Sequence, residues 1–147
     1  MSPVAALIVV AALLLLAVGA GLLWKRANTR VHAPTHRDLR ADLRAWGVSP
    51  AAAVTLIQFS TPSCSYCPGV RRVLDRVSAD RTDVAVVQWD LGVDDRPASV
   101  LGIRRTPTVI AVDRGLHVRG RVSGPASLRT ITELVEAARR PRTGQPS

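Results

Sequence analysis

The chain's only two thiols stand close together, as Cys64-Ser65-Tyr66-Cys67. Before them, Val54-Thr55-Leu56-Ile57-Gln58-Phe59 is a short apolar run rich in β-branched residues, the pattern of a buried strand. After them, Val70, Val73, Leu74 and Val77 repeat as i, i+3, i+4, i+7, which predicts one apolar helix face ending near Ser78. The pair therefore falls where a strand hands over to a helix. The free N–H groups and the macrodipole at a helix start stabilise a thiolate. Cys64, at or beside that start, is the candidate nucleophile near neutral pH. Cys67, one turn deeper, is the candidate resolving thiol that attacks a mixed disulfide. Pro68 costs little there, because an N–H so early in a helix has no intrahelical partner. Tyr66, inside the loop, is expected at the surface, where it either contacts a binding partner or faces solvent.

Two other uses of such a pair are open. Cysteines at this spacing can supply half of a metal site, and a membrane-tethered protein using Cys64 and Cys67 as soft ligands is the alternative reading. A four-coordinate zinc site needs two more ligands from His32, His36 and His117. His32 and His36 are suitably spaced, but Pro34 between them disfavours a helix and both lie far upstream, so no metal is expected. A purely structural disulfide closes too small a loop to stabilise much.

A second feature lies downstream, where Arg104-Arg105-Thr106-Pro107-Thr108 opens a predicted strand. Proline is compatible with a strand at its first position, and the bond after Thr106 is open to either isomer.

The elements that must position these residues can be read in order. Thr35 caps a predicted helix through Trp46, with Leu39, Leu43 and Trp46 at helical spacing. A second buried strand is expected from Val84 to Trp89. Asp94, Asp95 and Pro97 open a helix that Gly102 stops. Strands from Pro107 to Val112 and from Leu116 to Val122 join through Asp113-Arg114-Gly115, a hairpin. Ser127 opens a last helix through about Arg139, with Leu128, Ile131, Leu134 and Val135 expected to face inward. A short first strand at Thr29 to His32 is a further possibility. Alternation of helix and strand predicts parallel central strands, with the final hairpin as an antiparallel edge. Trp46 and Trp89 are read as core, His117 as a surface residue, and Arg71 and Arg72 as facing solvent.

The amino terminus is of another kind. Val4 to Trp24 carries no charge, and a helix over it rises roughly 31 Å, enough for a hydrocarbon core of about 30 Å. A retained transmembrane anchor is expected over 4–24. A cleaved signal needs a basic start, which Met1-Ser2-Pro3 lacks, although Ala17-Val18-Gly19-Ala20 mimics a cleavage site. Lys25, Arg26 and Arg30 follow directly, so the positive-inside rule leans toward a cytoplasmic globular part; the side stays open. The formal charge is +9, and 19 of the 20 basic residues are Arg. They are scattered, and one Phe and one Tyr leave almost no stacking platform, so nucleic-acid binding is not expected. Attraction to an anionic membrane surface is the simpler reading of the juxtamembrane charges.

Phe59 through Cys67, Leu101-Gly102-Ile103-Arg104-Arg105-Thr106-Pro107-Thr108, and the glycines Gly115 and Gly124 together resemble the thioredoxin superfamily. More narrowly, the chain looks like a membrane-anchored thioredoxin-like protein of actinobacterial type. The resemblance implies an α/β thioredoxin-like fold, a central mixed β-sheet flanked by helices, preceded by one N-terminal transmembrane helix. It divides the chain into an anchor at 4–24, a linker at 25–30, the thioredoxin-like domain at 31–140 and a disordered tail at 141–147. It implies thiol–disulfide exchange with protein substrates and a redox partner protein, by a monomer whose Cys64–Cys67 couple replaces any bound cofactor. It makes Cys64 the attacking thiol, Cys67 the resolving thiol, Pro107 a cis-proline facing them, and the Thr106 backbone a pairing edge for the substrate. Departures are specific. Ser63 precedes the pair where Trp is usual, and Ser65-Tyr66 replaces Gly-Pro. Gln58 and Gln88 stand where the family commonly keeps a buried acid and its lysine companion.

Overall fold

The computed structural model describes Val4, residues 11–21 and residues 39–141. The expected linker, the strand at Thr29 to His32, His32, His36 and the tail after Pro141 lie outside the described residues. Within the expected anchor, Val4 and residues 11–21 are helical with exposed side chains. Among the described residues no helix is long and apolar enough to cross a membrane; the remainder of the expected span lies outside them. The chain divides into two units, Met1–Arg30 and Val31–Ser147, and the sheet belongs to the second.

That unit runs α1 (Arg40–Ala45), β1 (Val54–Ser60), α2 (Cys67–Ala79), β2 (Val84–Asp90), α3 (Arg96–Leu101), β3 (Thr108–Asp113), β4 (Val118–Ser123) and α4 (Leu128–Arg139). The strands form one sheet in the order β2-β1-β3-β4. β1 and β2 are parallel, whereas β3 is antiparallel to both β1 and β4. The expectation of several parallel central strands is thus corrected to a single parallel pair. Length gives the reason. The six residues of α3 rise only about 9 Å, against about 23 Å for the seven residues of β2. The chain therefore enters β3 at the end of the sheet where β2 leaves it.

The period of two along β1 sorts its side chains onto two cores. Val54 and Leu56 join Val70, Leu74 and Val77 of α2 and Ile131, Leu134 and Val135 of α4. Ile57 and Phe59 join Leu43 of α1, Trp46 and Leu101 of α3 on the other face. Each fully buried Leu, Ile or Phe contributes roughly 1.5–3 kcal/mol. Trp46 meets Phe59 edge-on at 6.3 Å and is a core residue, whereas Trp89, also expected in the core, is only partly buried at the margin of the same cluster. Leu128 departs from the expected inward stripe: it occupies the first position of α4 and stays exposed.

Chain ends and turns follow local chemistry. Ser127 caps α4 by accepting a hydrogen bond from the Thr130 N–H at 3.2 Å. Gly102 ends α3 in the left-handed region, φ 62°, where a side chain is disfavoured. In the β3–β4 hairpin the left-handed residue is Leu116, φ 60°. A Cβ at Gly115 would stand 2.8 Å from His117 Nδ1, so a larger residue there would make the imidazole shift.

Candidate functional site

Gln58 shares the β1 face of Val54 and Leu56, which is the face covered by α2. β1 then ends at Ser60, and two successive turns lead into the helix. The Cys64 N–H donates to Thr61 O at 3.1 Å, and the Cys67 N–H donates to Cys64 O at 3.3 Å. The helix proper starts at Cys67, with Tyr66 as its N-cap and Pro68 next in line. No side chain caps this end, so its N–H groups and the positive end of the macrodipole are turned toward the pair.

The two sulfurs are joined in a disulfide, with Cα atoms 5.5 Å apart. Cys64 is half-buried, whereas Cys67 is only 7% exposed. An attacking reagent thus reaches Cys64 more readily than Cys67. Tyr66 projects outward between them, 63% exposed.

The Thr106–Pro107 peptide bond is cis, and Pro107 is buried at the start of β3. This segment is tied to the cysteine loop by the Thr61 and Thr106 hydroxyls, which share a hydrogen bond at 3.2 Å. It is tied to β4 as well. The Thr108 hydroxyl donates to Arg105 O at 2.8 Å and pairs with the Ser123 hydroxyl, while the Gly124 N–H donates to Pro107 O at 2.6 Å. The structure therefore brings Cys64, Cys67 and Tyr66 onto one loop and helix start, and docks Thr106 and Pro107 beside that loop.

Beside the pair lies a cavity of about 320 Å³ whose polar lining includes Gln58, Cys64, Cys67, Arg71, Gln88 and Asp90. Gln58 and Gln88 are register partners across β1 and β2. Gln58 is 1% exposed, and its Nε2 donates to the Cys67 carbonyl at 3.0 Å. Its Oε1 has no hydrogen-bond partner among the described residues. The deep position that could have held a carboxylate is neutral at every ordinary pH.

Three contributors were not evident from the sequence. Thr61 supplies the bridge to Thr106, a pairing of hydroxyls that no spacing announces. Asp90 lines the cavity; its signal was the period of two from Gln88 along β2. Gly92 lets the loop after β2 close on the cysteine loop, because a Cβ there would stand 2.9 Å from Pro62 Cδ. Arg71 faces solvent as expected, with its side chain 63% exposed, and borders the cavity from there. His117 is engaged elsewhere: its Nδ1 pairs with Asp113 at 3.3 Å and its Nε2 with Arg40 at 3.1 Å. Among the described residues no group of three or more His, Cys, Asp or Glu is arranged to hold a metal ion.

Comparison with solved structures gives this arrangement its class. The chain is similar to a mutant thioredoxin from Halobacterium salinarum at a TM-score of 0.57 and 22% identity, covering 79% of this chain and 96% of that one. It is also similar to a malarial protein at a TM-score of 0.53 and 16% identity, covering 57% of this chain and 94% of that one. The chain has a thioredoxin-like fold, with a close cysteine pair at the start of its second helix. No family model matches the sequence. No curated protein matches it either.

Proposed function

We propose that this chain is a thiol–disulfide oxidoreductase that exchanges electrons with protein disulfides through Cys64 and Cys67. The observation that carries the reading is the pair itself. A half-buried Cys64 is bonded to a buried Cys67 at an uncapped helix start, inside a thioredoxin-like fold. In the reducing direction the Cys64 thiolate attacks a substrate disulfide, forming one S–S bond and expelling a substrate thiolate. The Cys67 thiolate then attacks Cys64, closing the pair's disulfide and releasing the second substrate thiolate. Both electrons come from the cysteine pair, so no bound cofactor takes part. Tyr66, beside the pair, and Thr106, tied to its loop, are the residues proposed to meet the substrate chain. The N-terminal apolar segment is proposed to tether this monomeric domain to the membrane, within reach of a redox partner protein.

The test uses the full-length chain in detergent micelles equilibrated with glutathione mixtures, followed by acid quenching and thiol counting. Reversible conversion between dithiol and disulfide is expected, and a potential near about −270 mV marks a reductant whereas one near about −120 mV marks an oxidant. Absence of reversible exchange overturns the reading. Cys67→Ser is expected to accumulate a mixed disulfide at Cys64. Tyr66→Ala is expected to raise KM for a protein disulfide while leaving exchange with glutathione unchanged.

A further inference from the structure

We infer that Gln58 Oε1 accepts a hydrogen bond from the Cys67 thiol when the pair is reduced. By this bond Gln58 biases the couple toward the dithiol. The inference rests on the oxidoreductase reading and adds a positioning residue to it.

The orientation of the carboxamide is fixed by chemistry. The atom 3.0 Å from the Cys67 carbonyl must be a donor, because a carbonyl oxygen only accepts. Nε2 therefore faces Cys67 O, and Oε1 is the end left over. Oε1 is buried and unpaired among the described residues, and an unpaired buried acceptor carries the full cost of its lost hydration. The cysteine beside it has one N–H, already given to Cys64 O at 3.3 Å. In the disulfide form Cys67 has no other donor.

Reduction changes that. A protein dithiol that reduces the pair breaks the Cys64–Cys67 S–S bond and forms one S–S bond of its own. Two electrons and two protons pass to Cys64 and Cys67. One of those protons makes Cys67 S–H, a new donor on the residue that Gln58 already holds by its carbonyl. The acceptor that was unpaired becomes paired, so the reduced state gains a bond that the oxidised state lacks. Gln cannot titrate, so this bias is the same at every pH at which Cys67 is a thiol.

The experiment compares wild type with Gln58→Leu and the unbranched Gln58→Met, each full-length in micelles and equilibrated with glutathione. Both substitutions remove the unpaired acceptor from the oxidised state and the thiol's partner from the reduced state. The expected result is a shift of about tenfold toward the disulfide, which for a two-electron couple lowers the potential by about 30 mV. Equal constants in all three proteins overturn the inference, as when a water satisfies Oε1 equally in both states. A second measurement covers the event that neither variant folds. In Cys64→Ala protein, which has no hydroxyl or thiol at position 64, only the Cys67 thiol remains, and its S–H stretch in the infrared reads hydrogen bonding directly. A band lowered in frequency from that of a free thiol supports the inference, and a band at the free position overturns it. Wild type that does not exchange at all defeats the oxidoreductase reading, whereas exchange unaffected at position 58 defeats only this step.

Discussion

The two ends of the sheet handle buried polarity in opposite ways. At the end where β1 starts, the β1–β3 register sets Val54 against Asp113, and charge is kept inside the fold. Asp113 and Arg119 pair at 3.2 Å with side chains only 19% and 14% exposed, and the His117 N–H donates to the same carboxylate at 3.0 Å. At the end where β1 stops, beside the cysteines, the deep polar group is the neutral Gln58, and the contacts that join the loops are hydroxyls and peptide groups. A charge buried near Cys67 would favour or oppose its thiolate according to sign. The far end can spend charge on holding a hairpin, because no sulfur there has to change its protonation. The field at the pair is thereby left mainly to the helix start, with Arg71 and Asp90 at the cavity wall.

The contrast predicts a separation between chemistry and stability. Cys64→Ser should abolish protein-disulfide turnover to the background of the assay while leaving the midpoint of unfolding by urea close to that of the reduced wild type. Retained turnover would mean that Cys67 or a group outside the pair performs the attack. Asp113→Ala should do the reverse. It removes the carboxylate partner of Arg119, which keeps only its hydrogen bond to the Arg140 carbonyl, and frees the His117 N–H, at a cost of about 1–3 kcal/mol in urea unfolding. The glutathione exchange constant should stay at the wild-type value. A change in that constant would show that the two ends are coupled.

Gly92 sharpens the comparison from the other side, because it belongs to the cysteine end yet carries no chemistry. Its Cα lies so close to Pro62 that an added methyl must displace the loop leading to Cys64. Gly92→Ala is expected to destabilise by roughly 1–3 kcal/mol through overpacking. Unlike Asp113→Ala, it should also alter the rate of exchange at Cys64, measured with glutathione by stopped flow. Unaltered kinetics would mean that the loop after β2 gives way without moving the cysteine loop.

What the sequence disclosed follows the range of the interactions involved. The apolar, β-branched run from Val54 to Phe59 and the 3.6-residue spacing of Val70 to Val77 are local, and they located β1, α2 and the cysteine pair between them. Ser127 and Gly102 are equally local signals, and the ends of α4 and α3 fell beside them. The direction of β3 was lost because it depends on how far a six-residue helix carries the chain, which alternation of elements does not encode. Leu128 was misplaced because an apolar stripe does not say where it overruns the core. In the site, Gln58 was legible as a departure at a known position, but its unpaired Oε1 was not. That requires knowing that Cys67 O takes the other end of the amide. The Thr61–Thr106 bridge and the closeness of Gly92 to Pro62 join residues distant in sequence, and neither leaves a local pattern.

The smallest expected effect lies on the surface, where charge is neither buried nor near sulfur. Arg81, in the loop after α2, donates to Glu136 of α4. That hydrogen bond holds the Glu136 carboxyl below the ordinary carboxylate range against the opposing effect of burial, and the positive charges of Arg81, Arg139 and Arg140 add to it. The unfolded chain then binds the Glu136 proton more tightly than the folded one. The ionised pair therefore stabilises the fold above the ordinary glutamate value of about 4.3, and its contribution fades as pH falls through the lowered folded value. Glu136→Gln should unfold slightly more easily than wild type at neutral pH, and the difference should shrink to nothing in acid. Salt should shrink it too, because the pair is open to solvent. Urea unfolding of both proteins across pH 3 to 7, at low and high salt, measures this. A difference that persists in acid would assign the effect to packing between α2 and α4, and the separation of surface charge from the site would then rest on Asp113 alone.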